Sequence, residues 1–191
     1  CSFGMGKFQI PLSLSQRSGQ IWFDVMQSDA AGNSASTTFS KSFYGVKKFQ
    51  PATLEVGSDY GQRMTKSGAY LFASAPGKSV VINGQTYKES GQIYIFKDPN
   101  GDDNFEDAVH TQTLSFNKGG YRFGESMSAA GNVLVVGGAW TAGYGSAFVY
   151  ELVNGTWTQV TELLAPSQNF WFGDAVATDG NTILVADSQG G

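Results

Sequence analysis

Three stretches of the chain repeat one plan, and that repetition constrains the fold more than any other feature. Tyr60-Gly61 leads into Ser67-Gly68-Ala69-Tyr70-Leu71-Phe72-Ala73-Ser74-Ala75-Pro76. Phe123-Gly124 leads into Ala130-Gly131-Asn132-Val133-Leu134-Val135-Val136-Gly137-Gly138-Ala139. Phe172-Gly173 leads into Asp179-Gly180-Asn181-Thr182-Ile183-Leu184-Val185-Ala186-Asp187. The leading glycines stand at 61, 124 and 173, so the spacing is 63 and then 49 residues. Two loop-like stretches, residues 78–90 and 98–107, account for the longer first interval. Such self-similarity marks a unit that cannot bury its apolar face alone and must stack on its neighbours.

Each unit continues into a second matching half. Ser90-Gly91-Gln92-Ile93-Tyr94-Ile95-Phe96 corresponds to Tyr144-Gly145-Ser146-Ala147-Phe148-Val149-Tyr150, followed by a turn and a last strand over 111–116 or 156–164. Asn154-Gly155 between apolar strands is a tight-hairpin signal. The best-defined unit therefore reads as four strands near 123–129, 132–139, 145–152 and 156–164, in up-and-down order. Val133, Leu134, Val135 and Val136 are apolar on both sides of their strand, as when both faces of a sheet are covered. Gly137, Gly138 and Ala139 suit a close approach of backbones, whereas Thr156, Thr158, Gln159 and Thr161 give the outer strand a polar character. A four-stranded sheet wedged between copies of itself is a propeller blade. The predicted fold class is all-β: four-stranded antiparallel blades of a partial β-propeller, plus a partial Ig-like β-sandwich segment.

The first 45 residues lack the repeat. Residues 7–14 and 20–27 read as strands, with Ile21, Phe23 and Val25 on one face of the second. The turn Ser28-Asp29-Ala30-Ala31-Gly32-Asn33 leads to Ser/Thr-rich extended sequence as far as Phe43. With Phe23-Asp24-Val25 before it and Ser34 after it, this stretch resembles the end of bacterial immunoglobulin-like or fibronectin-type-III-like modules over residues 8–45. The domain organisation expected is 1–45 for that partial module, 46–57 as linker, 58–122 and 123–171 as two blades, and 172–191 as the start of a third.

The repeats themselves resemble the FG-GAP family, known from integrin α heads and bacterial surface proteins. The matching residues are Phe123-Gly124 and Phe172-Gly173, with Val136-Gly137-Gly138-Ala139 and, more loosely, Ala73-Ser74-Ala75-Pro76, across residues 58–191. The resemblance implies a seven-bladed propeller serving in extracellular recognition. About two and a third blades fall within the 191 residues, so further blades are expected beyond Gly191 or from other subunits.

Composition sets the outer bounds. A formal charge of −4 lacks the basic stripe of a nucleic-acid binder. No apolar run approaches the ~20 residues of a membrane helix. His110 and Cys1 are the single histidine and cysteine, too few for a Cys/His metal site or an internal disulfide. Cys1 has two readings, a lipid-bearing cysteine left after signal cleavage or simply the first residue of a fragment.

Calcium is the one cofactor with a candidate site. The turns before the apolar strands (65–68, 129–132 and 178–181) hold too few carboxylates for the calcium loop found in many members of the family. A different loop carries oxygen donors at alternate positions: Asp98, Asn100, Asp102, Asn104 and Glu106. It reads either as a calcium loop or as a solvated hairpin end that keeps a sheet edge soluble. His110, at the threshold of an outer strand, reads as a surface histidine rather than a catalytic base. Asp174, Asp179 and Asp187 read as turn acids. Tyr121, Trp140, Tyr144, Phe170 and Trp171 lie in loops beside the inner strands, and Trp140 and Tyr144 are the candidate ligand-binding pair. Trp157, Trp171 and Phe172 read as blade-to-blade packing residues.

These observations predict a non-enzymatic extracellular or cell-surface recognition, adhesion or scaffold protein that binds protein or glycan at its loops. A lectin-like propeller and a subunit of a self-assembling surface filament, pairing with further copies of itself, are the alternatives.

Overall fold

The computed structural model describes residues 19–28, 34–43, 49, 51, 55–103, 105–117, 119–138, 145–165 and 171–188. For the first two stretches and residue 106 it describes the backbone alone. The chain divides into two compact units, Cys1–Lys48 and Phe49–Gly191. In chain order the strands are β1 (Gly19–Ser28), β2 (Ser34–Phe43), β3 (Met64–Ser67), β4 (Tyr70–Ala75), β5 (Val80–Ile82), β6 (Gln85–Tyr87), β7 (Gln92–Lys97), β8 (Val109–Ser115), β9 (Ser126–Ala130), β10 (Val133–Gly138), β11 (Ser146–Val153), β12 (Thr156–Leu164), β13 (Phe172–Thr178) and β14 (Ile183–Asp187). The fold is all-β and antiparallel, with one short 3-10 turn among the described residues, at Phe105–Asp107.

In the first unit β1 pairs with β2 in continuous antiparallel register from Gly19↔Phe43 to Ser28↔Ser34. The strand expected over 20–27 and the extended run to Phe43 are thus partners. The strand expected over 7–14 and the turn at 29–33 lie outside the described residues.

The second unit contains two four-stranded sheets in up-and-down order, β3-β4-β7-β8 and β9-β10-β11-β12, and a third pair, β13-β14. Both full sheets shift register at the same repeat position, between Ile95 and Phe96 and between Val149 and Tyr150. A bulge there adds twist to each sheet in the same way. The first strand of the second sheet starts at Ser126 rather than 123, because Phe123-Gly124-Glu125 belongs to a turn closed by the Glu125 N–H donating to the Arg122 carbonyl at 2.9 Å.

One stretch expected as a loop is ordered differently. Residues 78–90 contain the β5-β6 hairpin, turning at Asn83-Gly84 with φ of 51° and 79°. That is the left-handed pair a tight primed turn requires, as at Asn154-Gly155 with 51° and 81°. Its strands are only three residues long and largely exposed, so alternation gives no signal there.

The main core lies where the two full sheets face each other. Phe72 and Ile93 come from the first, Leu134, Val136 and Phe148 from the second, and Phe123 from the turn between them, all fully buried. Each such side chain stabilises the fold by roughly 1.5–3 kcal/mol. A smaller cluster of Ala73, Tyr94 and Phe96 occupies the other face of the first sheet, under Phe49, Tyr60 and Phe105. Leu134, Val135 and Val136 are all 0% exposed, so β10 is covered on both faces as its sequence requires. The outer strand β12 is exposed apart from Trp157 and the half-buried Leu163.

Candidate functional site

The repeat positions one glycine-centred turn at the start of each sheet. In each turn the residue after the glycine donates its N–H to the carbonyl three residues back: Gln62 to Asp59 at 3.1 Å, Glu125 to Arg122 at 2.9 Å and Asp174 to Trp171 at 3.0 Å. The central glycines have φ of 85°, 96° and 92°, a conformation that a side chain disfavours. Gly61 and Gly124 each donate to the carbonyl thirteen residues ahead in their own second strand, at Ser74 (2.7 Å) and Gly137 (3.0 Å). A second glycine falls seven residues after the first in every unit, at 68, 131 and 180, again with positive φ.

The same contacts then join one sheet to the next. A Cβ on Gly124 would lie 2.8 Å from the Ser74 side chain, and one on Gly137 would lie 2.0 Å from the Gly173 carbonyl oxygen. Gly91 and Gly145, before the third strands, meet the backbones of Phe123 and Phe172 in the same manner. Ser67 Oγ donates to the Gly131 carbonyl at 2.9 Å, and Gly180 sits against Ala130 one junction later. Trp157 packs edge-on against Phe72 at 5.0 Å and Tyr70 at 5.5 Å. Its backbone N–H and carbonyl are both taken by the Gln112 amide, at 2.9 and 2.8 Å. Trp157 thus packs between the two full sheets.

The side chains flanking the glycine turns form a polar constellation. At the first junction the Arg122 guanidinium donates to Glu125 at 2.8 Å and to Asp59 at 3.1 Å, and the Gln62 amide donates to the other Glu125 oxygen at 2.8 Å. Burial alone would pull the Arg122 pKa down, but Glu125 and Asp59 more than offset it and the net shift is upward. At the second junction a cavity of about 350 Å³ opens, lined by Glu89, Arg122, Glu125, Trp171 and Asp174. The Arg122 backbone N–H bonds the Glu89 carbonyl at 3.0 Å, which fixes the cavity's first wall. Such a pocket, lined by a tryptophan, three acidic residues and an arginine that is already engaged, suits a polar or cationic group.

Of these residues, only Trp171 and Asp174 are singled out by sequence reasoning. Glu89, Arg122 and Glu125 are missed, although the signal is present: they stand at fixed offsets from the repeated glycines.

The 98–107 loop is a hairpin end between β7 and β8. Asp98 is fully buried, and its carboxylate accepts the N–H groups of Asn100 (3.2 Å), Gly101 (3.0 Å) and Asp103 (3.0 Å). The Asn100 side-chain amide donates to Asp107 at 3.1 Å, the Asp102 N–H donates to Asn100 Oδ1 at 3.3 Å, and Lys66 pairs with Asp103. Two of the candidate donors are thus engaged in building the loop. Asn104 and the Glu106 side chain lie outside the described residues, and no group of three or more His, Cys, Asp or Glu among the described residues is arranged to hold a metal. Trp140, Tyr144, Phe170 and Cys1 also lie outside them.

His110 lies within β8, 2.9 Å from Thr113 Oγ1 and packed on Phe96. Asp179 accepts the N–H groups of Asn181 (2.8 Å) and Thr182 (2.7 Å), which hold its pKa below the usual value. No described helix is long and apolar enough to cross a membrane. No protein-family model and no curated protein matches the chain.

Proposed function

We propose that the second unit is a run of FG-GAP-like propeller blades and that the protein serves in extracellular or cell-surface recognition, adhesion or scaffolding, without catalysis. The observation that carries this reading is the recurrence of one set of glycine-centred contacts at two successive sheet junctions. Gly124 meets Ser74 at the first as Gly173 meets Gly137 at the second. First strands also neighbour one another, β3 beside β9 and β9 beside β13, as the inner strands of successive blades would. Sheets stacked through repeated backbone contacts make a rigid base, and their turns gather binding residues at one end. The β1-β2 hairpin fits the closing strands of an Ig-like or fibronectin-III-like module. In this reading Trp140 and Tyr144 are the candidate ligand contacts.

Labelling with an antibody raised against the 191-residue chain tests the location. Intact cells of the source are expected to stain, and the purified chain is expected to compete for whatever surface or matrix they adhere to. Staining only after permeabilisation overturns the reading.

A further inference from the structure

The two junctions between sheets are built alike but filled differently. Asp59, Arg122 and Trp171 each stand two residues before their glycine, and Gln62, Glu125 and Asp174 each stand one after it. The three turns share the same closing hydrogen bond. At the first junction the chain supplies its own cation: Arg122 reaches Glu125 of its own turn and Asp59 of the preceding one. One repeat later Trp171 occupies the place of Arg122, and Asp174 that of Glu125. Where the guanidinium closes the first junction, the second holds the 350 Å³ cavity.

The cavity's charge is unbalanced. Three acidic residues, Glu89, Glu125 and Asp174, line it with one arginine, Arg122, whose guanidinium already bonds Glu125 and Asp59. The wall that replaces Arg122 is an indole, the aromatic face with the strongest attraction for cations. Carboxylates beside that face favour a group with several N–H donors and a positive charge.

We infer that this cavity binds the guanidinium or ammonium head of an arginine or lysine side chain from a partner protein, in the position that Arg122 fills one repeat earlier. The inference deepens the recognition reading and rests on it for its biological sense. Its geometry needs only the two described junctions.

The test titrates the full 191-residue chain with N-acetyl-arginine amide, following the Trp171 indole N–H by NMR, its signal assigned with Trp171→Phe. N-acetyl-citrulline amide, the neutral near-isostere, is the control. The expected result is saturable binding of the arginine probe, at least tenfold weaker binding of the citrulline probe, and weakening with added salt. Asp174→Asn is expected to cost about tenfold in affinity for the arginine probe at an unchanged melting midpoint, which corresponds to the loss of one charged contact. Asp174→Glu keeps the charge, and its retained binding covers the case in which the Asn variant unfolds. Equal binding of the two probes, shifts that never saturate, or a folded Asp174→Asn protein that binds as the parent does would each overturn the inference. Surface staining with no arginine binding leaves the recognition reading intact and removes only this site; arginine binding by a protein found inside the cell does the reverse.

Discussion

Gly137 faces Gly173 so closely that a Cβ on Gly137 would lie 2.0 Å from the Gly173 carbonyl oxygen and 2.1 Å from Ser126 Oγ. Ser126 donates to that same carbonyl at 2.7 Å, so three backbone or near-backbone groups fix the approach of β13 to the second sheet. None of them can move without its sheet.

Gly137→Ala is therefore expected to destabilise the second unit by about 3 kcal/mol, the upper range for overpacking. Gly131→Ala serves as a comparison. Its Cβ would meet nothing within 4 Å, and only the φ of 57° opposes it, at about 1 kcal/mol. Urea denaturation of both variants checks the order, and equal losses would refute the junction geometry.

Trp157 carries the first junction from the outer strand. Trp157→Ala is expected to cost about 3–5 kcal/mol, the range for emptying a large aromatic site. Gln112→Ala leaves the Trp157 N–H and carbonyl without their amide partner and is expected to cost about 2 kcal/mol. The two residues touch, so a double-mutant cycle should give a coupling of about 1 kcal/mol, within the range for contacting pairs. Additive losses would show that the amide and the indole act independently.

For the 98–107 loop the expected outcome separates two roles. Asp98 has its carboxylate on three N–H groups, so Asp98→Ala should lower stability by about 3 kcal/mol whether or not calcium is present. The parent protein should melt at the same midpoint in calcium and in chelator. A ligand held by the folded state alone raises stability by about 2.7 kcal/mol at a hundred times its Kd. A calcium-dependent rise of that order would assign the loop to a cation instead.

Asp179 gives a pH signature. Its folded pKa lies below the ordinary 3.8 because the N–H groups of Thr182 and Asn181 favour the carboxylate. A depressed acid contributes stability that is fully present above its unfolded pKa and is lost as pH falls through the folded one. NMR titration should place the Asp179 midpoint below 3.8, and the 178–183 turn should loosen only under more acid conditions. A midpoint at or above that value would show that these hydrogen bonds do not hold the carboxylate.

Much of the second unit is legible in the sequence, because its signals are local. Val133–Gly138 reads as a strand covered on both faces since every residue from Val133 to Val136 is apolar, and Asn154-Gly155 announces its turn through two left-handed φ angles. The same logic applies to Asn83-Gly84, where the hairpin goes unread because strands of three residues are too short to show a periodicity. The candidate site is less legible. Trp171 and Asp174 attract notice as a loop aromatic and a turn acid, and Arg122 and Glu125 stand at the same offsets from Gly124, but only the fold brings Glu89 to them.

By itself, then, the sequence decides what each short stretch can be: which runs extend and which glycines adopt angles closed to other residues. Steric limits on φ and the two-residue alternation of a strand act over a few residues, so they are written locally. Only the tertiary structure decides which flanking side chains meet, because Glu89, Arg122 and Asp174 come together through sheets that stack at a distance set by backbone against backbone. At the first junction that spacing brings the Arg122 guanidinium onto Glu125 and Asp59.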